Sequence, residues 1–166
     1  MKITPPKIIQ RDAQPYVSIT ANVTMDSIGQ ELPPLHGELD AWLVSKGLQP
    51  AGPPFWKYNV IDMAGTMEVE VGCPVAEPVS SDGRVRAAVL PAGRYATLTH
   101  TGHPSELMPA TGALLDWAAE QGLEWDVVDS ADGPHWAARL EVYLSDPAEQ
   151  PDMSTWVTEL VFKVAD

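Results

Sequence analysis

In HWAARLEVYL, His135 to Leu144, a guanidinium, a carboxylate and a phenol recur at every second position as Arg139, Glu141 and Tyr143. Side chains alternate across an extended strand, so these three share a face with Ala137, and Trp136, Ala138, Leu140, Val142 and Leu144 share the other. The apolar set reads as core packed under helices, which puts the carboxylate on the helix-free side. TWVTELVFKV places Glu159 with Val157, Val161 and Lys163, opposite Trp156, Leu160, Phe162 and Val164. FWKYNVI sets Trp56 and Tyr58 on one face, and MEVEVGC adds Glu68 and Glu70. A carboxylate among rings suits a lipophilic cation, because Coulomb attraction in a poorly solvated site joins cation-π and stacking contributions of roughly 0.5–2 kcal/mol each. Such contacts need few directional hydrogen bonds, so one pocket accepts several shapes. Burial raises a carboxyl pKa and an arriving cation lowers it, so binding should weaken as pH falls. The same groups suit hydrolysis, with Glu141 or Glu159 deprotonating water and Tyr143 or Tyr58 polarising a leaving group.

The elements that must position these residues are written twice. HGELDAWLVSKGL, from His36 to Leu48, aligns without a gap on TGALLDWAAEQGL, from Thr111 to Leu123, pairing Trp42 with Trp117 and Gly47-Leu48 with Gly122-Leu123. Both carry apolar residues at helical spacing and end on glycine followed by leucine, a left-handed cap with an apolar contact beyond it. One strand candidate precedes each helix, PYVSITANVT and GRVRAAVLPAGRYATLTHTG, and two follow it. Two βαββ units result, about 15–75 and about 84–165, joined by PVAEPVSSDG, with PAEQPDM as the last turn. Glu70 matches Glu159 when Pro74 and Val75 are set against Lys163 and Val164, and Tyr58 matches Tyr143. Each unit is too small to bury an adequate core alone, so residues 1–166 are expected to form one α+β domain with an antiparallel sheet, internal two-fold symmetry and a central cleft near the pseudo-dyad.

Composition narrows the partners. The 166 residues are 45% hydrophobic with a formal charge of -13, which argues against phosphate backbones and anionic membranes and favours cationic ligands. A single cysteine, Cys73, excludes an internal disulfide. MKITPPKIIQRD lacks the apolar run of a signal peptide, and no segment has the length and hydropathy of a membrane span, so a soluble cytoplasmic protein is expected. His36, His100, His103 and His135 complete no zinc set and read as loop and surface residues. There is no nucleophile elbow and no phosphate loop, so no metal or cofactor is expected.

Taken together, PAGRYA from Pro91, Gly102, the tryptophan-bearing helix, EVY from Glu141 and WVTEL from Trp156 resemble the GyrI-like, or bacterial effector-binding, domain family over essentially the whole chain. The resemblance implies a duplicated βαββ fold whose cleft binds lipophilic cations, found alone or behind DNA-binding helices, which are not expected before Pro15. By motif, Glu141 matches the family's buried pocket carboxylate and Glu159 a second acid near it. With Tyr143, Trp56, Tyr58 and Arg139 these form the expected ligand site of a multidrug-binding protein that sequesters or senses cationic aromatic compounds. The family also implies two alternatives, a hydrolase of cyclopropane-bearing cytotoxins using Glu141 and Tyr143, and a protein-binding modulator of DNA gyrase.

Overall fold

A computed structural model describes residues 1–62 and 64–166. Among them are eleven strands: β1 (Lys2–Ile3), β2 (Lys7–Arg11), β3 (Gln14–Val23), β4 (Phe55–Val60), β5 (Met67–Pro74), β6 (Val85–Leu90), β7 (Gly93–Thr101), β8 (Val127–Ser130), β9 (Gly133–Trp136), β10 (Arg139–Tyr143) and β11 (Val157–Lys163). A one-turn helix α1 (Ile28–Glu31) leads into α2 (Pro33–Ser45), and α3 (Leu107–Glu120) is the second long helix. The strands form one open antiparallel sheet, with the central order β7-β11-β10-β4-β5-β3. β3, β4, β5 and α2 lie on one side of the β10–β4 seam and β7, β10, β11 and α3 on the other, with the β8–β9 hairpin inserted between α3 and β10 and paired to β4, an α+β arrangement. β6 extends the sheet beside β3, and β1 and β2 extend it beside β7.

Both helices stop as their glycines require. Gly47 and Gly122 take φ of 68° and 70°, and the following Leu48 and Leu123 donate backbone N–H bonds to Leu43 and Ala118 at 2.9 and 3.0 Å. This is a Schellman closure, in which only a residue without Cβ adopts the left-handed turn without strain. Leu48 then packs with Leu39, Leu43 and Trp42 of α2 over Val17, Ile19 and Cys73, while Leu123 packs with Leu114 and Trp117 of α3 over Leu98, Leu160 and Phe162. Trp42 thus packs over one half of the sheet and Trp117 over the other.

The sheet buries apolar side chains on both faces. Facing residues of paired strands share a face, and Glu141 pairs with both Leu160 and Trp56, while Arg139 pairs with Phe162. Leu160 and Phe162 lie under α3, so Arg139, Glu141 and Tyr143 stand on the helix side. Leu140 and Val142 point the other way, into a cluster with Tyr16, Phe55, Leu90 and Tyr95. This reverses the assignment of faces made from alternation. Period-2 patterning separates two faces, but where both bury apolar groups it does not say which one the helices cover.

Three strand boundaries also differ from the sequence reading. GRVRAAVLPAGRYATLTHTG is two strands, because Pro91 and Gly93, with φ of 143°, break it and send β6 and β7 to opposite ends of the sheet. HWAARLEVYL is interrupted at Ala137–Ala138, which turns Trp136 to the helix side, where it packs on Trp125 and Phe162. The proline-bearing amino terminus supplies β1 and β2, strands that its composition did not announce. Leu114 sits at 0% exposure beneath α3, whereas Val44 on α2 is 79% exposed. Leu114→Ala is expected to cost about 2–5 kcal/mol in urea-unfolding free energy, and Val44→Ala to stay within about 0.5 kcal/mol.

Candidate functional site

α2 covers β3 and β5, and α3 covers β7, so the central strands β10 and β4 are left between them on the helix side. Edge-on pairing across this seam sets Glu141 directly beside Trp56. Tyr143 lies two residues beyond Glu141 on the same face, and Tyr58 two beyond Trp56. The hydroxyls of both tyrosines converge on one oxygen of the carboxylate: Tyr143 donates to Glu141 Oε1 at 2.7 Å and Tyr58 at 3.0 Å. Oε2 accepts no hydrogen bond from a described residue. Glu141 is half-buried.

Burial drives the electrostatics. Removal from water pushes the Glu141 carboxyl above its ordinary range, against the opposing pull of the two tyrosine bonds and, more weakly, of the Arg139 charge. The phenols are pushed well above 10 by the same desolvation and by the adjacent carboxylate, so both are proton donors at neutral pH.

Aromatic surface surrounds the carboxylate. The Trp56 and Tyr143 rings meet nearly edge to face at 5.3 Å, and His36, from the first turns of α2, stacks on Trp56 at 6.3 Å. Trp56 Nε1–H donates to His36 Nε2 at 2.8 Å, which requires that nitrogen to be unprotonated. Burial lowers the His36 pKa and so favours that form. Arg139 sits farther along β10, its guanidinium 4.6 Å from the Trp136 ring centroid and 4.7 Å from that of Phe162.

Five of the six residues singled out from the sequence, Glu141, Tyr143, Trp56, Tyr58 and Arg139, share this face. Glu159 does not join them. It pairs with Val142 and Thr99, on the opposite side of the sheet, and takes an ion pair from Arg11 at 3.1 Å. Its sequence counterpart, Glu70, lies on that far side too, bonded by Tyr16, Ser18, Asn59 and Lys57. Burial works to raise its pKa, but the Lys57 charge and these hydrogen bonds more than offset it and hold the carboxyl below its ordinary range. Glu141 and the rings around it therefore gather on the helix-bearing face, while a cavity of about 280 Å³ on the other face is lined by Arg11, Phe55, Leu140, Val142 and Glu159.

The histidine reading also changes. His36 belongs to α2 and to the aromatic cluster, and His100, on β7, is fully buried with Nε2 3.1 Å from Glu106, whereas His103 and His135 are exposed. His36 opens the aligned helix segment, but nothing local revealed that Trp56 would be its partner. No cluster of metal-ligating side chains occurs among the described residues.

The family model described as GyrI-like small molecule binding domain matches residues 4–165. The chain belongs to that family. A search of curated protein sequences gives no match. Among solved structures, the C-terminal domain of EcmrR superposes with a TM-score of 0.74 at 20% identity, covering 98% of each chain. In the cryo-EM structure of the EcmrR–DNA complex the same fold covers 98% of this chain but 57% of that one. SAV2435 bound to tetraphenylphosphonium gives 0.62 at 11% identity over 98% of this chain and 94% of that one. A hydrolase from Listeria innocua gives 0.62 at 15% identity over 96% and 91%. At these identities the GyrI-like domain shares a fold with its neighbours. No helix among the described residues is long and apolar enough to cross a membrane.

Because Glu141 is held with a raised pKa, its ionised form destabilises the ligand-free protein. The effect is absent below the ordinary carboxyl value of 4.5 and grows as pH rises through the folded-state pKa. Glu141→Gln should therefore raise the melting temperature at pH 7 relative to the parent, and the gain should shrink as both are melted at progressively lower pH. A difference independent of pH would mean that the carboxylate is not desolvated.

Proposed function

We propose that this GyrI-like domain binds hydrophobic aromatic cations against Glu141, in a cleft walled by Trp56, Tyr58 and Tyr143, and that it acts by sequestering or sensing them. One observation carries the reading: Glu141 is half-buried among rings with no cationic side chain within 4.0 Å, whereas its neighbours across the sheet, Glu70 and Glu159, are each neutralised by a lysine or an arginine. A desolvated carboxylate with two fixed hydrogen-bond donors and no counter-ion gains most from an arriving cation. Ring faces add attraction without demanding a particular shape. The likeness to SAV2435, solved with the lipophilic cation tetraphenylphosphonium, and the formal charge of -13 point the same way. On this reading the protein is a cytoplasmic domain spanning the whole chain, with small molecules rather than nucleic acid or membrane as its partners.

A second reading has its own support. The raised carboxyl pKa and the two phenolic donors form an acid–base set, and a Listeria innocua protein of this fold is described as a hydrolase. On that reading Glu141 activates water and Tyr143 polarises the leaving group of a strained substrate. Product analysis by mass spectrometry with cyclopropane-bearing compounds separates the two.

Tetraphenylphosphonium and tetraphenylborate have the same shape and opposite charge. Calorimetric titration should show binding of the first and little of the second, and equal affinity would make the carboxylate a spectator. Glu141→Gln preserves size, so its loss of affinity for tetraphenylphosphonium reads the charge alone and is expected to be about tenfold to a hundredfold. The affinity of the unaltered protein should fall as pH drops and Glu141 takes up its proton.

A further inference from the structure

Four basic side chains are withdrawn from solvent: Arg11, Lys57, Arg139 and Lys163. Three have carboxylate partners, Arg11 with Glu159, Lys57 with Glu70 and Lys163 with Asp126. Arg139 has none within 4.0 Å among the described residues, although acidic side chains outnumber basic ones 23 to 10. Nor does its guanidinium donate a hydrogen bond to any of them. It lies instead against an aromatic pair, 4.6 Å from the Trp136 ring centroid and 4.7 Å from that of Phe162, two rings that pack edge to face on each other at 6.1 Å. Ring contacts of this kind leave its N–H groups uncommitted to any described acceptor, free to bond a carboxylate or phosphate.

Arg139 lies two residues from Glu141 on the same face of β10, about 6.6 Å along the strand. This face of β10 therefore presents a carboxylate and an unpaired guanidinium side by side, held apart by the strand itself. A simple cation would be repelled by Arg139. A molecule with a cationic aromatic system and an anionic group about one dipeptide repeat away would meet both charges with the correct sign.

Resting on the cation-binding reading of Glu141, we propose that the preferred ligands are amphoteric aromatics, with the positive end at Glu141 and a carboxylate, sulfonate or phosphate at Arg139. Arg139 is then the specificity-determining residue of the cleft. It lowers affinity for plain cations and selects those that also carry an acid.

A matched pair of fluorescent probes tests this. A rhodamine methyl ester is a plain cation, and its free acid keeps the same cationic ring system and adds a carboxylate. By fluorescence anisotropy at fixed salt, the unaltered protein should bind the free acid about tenfold tighter than the ester. Arg139→Met keeps an unbranched apolar stem beside Trp136 and Phe162 and should abolish that preference, partly by tightening the ester. Arg139→Gln is the alternative should that variant fail to fold. A preference of the unaltered protein for the ester, or a free-acid preference that survives loss of Arg139, overturns the proposal, and the first needs no variant. Glu141→Gln separates this outcome from failure of the underlying reading. If it weakens both dyes while their ratio ignores Arg139, cation binding stands and the amphoteric preference falls. If it weakens neither, or if neither dye binds the unaltered protein, both fall.

Discussion

A carboxylate kept partly out of water with no positive side chain against it is the constraint on which the rest of the site depends. In isolation such a group would take up a proton or draw in a lysine, as Glu70 has drawn Lys57. No lysine or arginine lies within 4.0 Å of Glu141 among the described residues. The two tyrosine hydroxyls return part of the lost hydration, and they do so from one side, committing Oε1 and leaving Oε2 without a described partner. The arrangement stabilises the ionised form enough to keep it available, yet burial still raises the pKa. That residual instability is what a cation can relieve, so binding free energy and apo-state cost are two expressions of one desolvation.

The fold supplies the means. The two helices lie mainly over the outer strands, the start of α2 reaches the seam between β4 and β10 through His36, and antiparallel register at that seam sets Trp56 beside Glu141. Tyr58 and Tyr143 come from the two strands that meet there, so the carboxylate is clamped across the seam rather than within one strand. Glu70 and Glu159, from the strands flanking this pair, point through the sheet to the other side and stabilise it as ion pairs. The same residue type thus does opposite work on the two faces, neutralised where it supports the core and unpaired where the cleft opens.

Much of this was legible in the residues. The helix stops at Gly47 and Gly122, the strands around Tyr16, Trp56 and Val69, and the grouping of Arg139, Glu141 and Tyr143 follow from local patterns of two or four residues. The side of the sheet on which they lie did not follow. Leu140 and Val142 are as apolar as any helix-facing pair, and only the pairing of Glu141 with Leu160 reveals that they cover the back of a sheet buried on both sides. Glu159 lies where its own alternation puts it, opposite Leu160 and Phe162, and it is the reversed face of β10 that separates it from Glu141. His36 was overlooked because its partner, Trp56, is 20 residues away, a contact set by how α2 lies over the sheet. The break at Ala137–Ala138 left no mark, since two alanines fit an unbroken strand.

Isotopic labelling of glutamate side chains allows the Glu141 carboxyl to be titrated by carbon NMR, with Glu141→Gln identifying its signal. In the ligand-free protein the midpoint should lie above 4.5, and saturating tetraphenylphosphonium should move it down, because a bound cation favours the ionised form. A midpoint at or below the ordinary carboxyl value, or one that ignores the cation, would contradict the assignment of Glu141 as the uncompensated charge at the centre of the site.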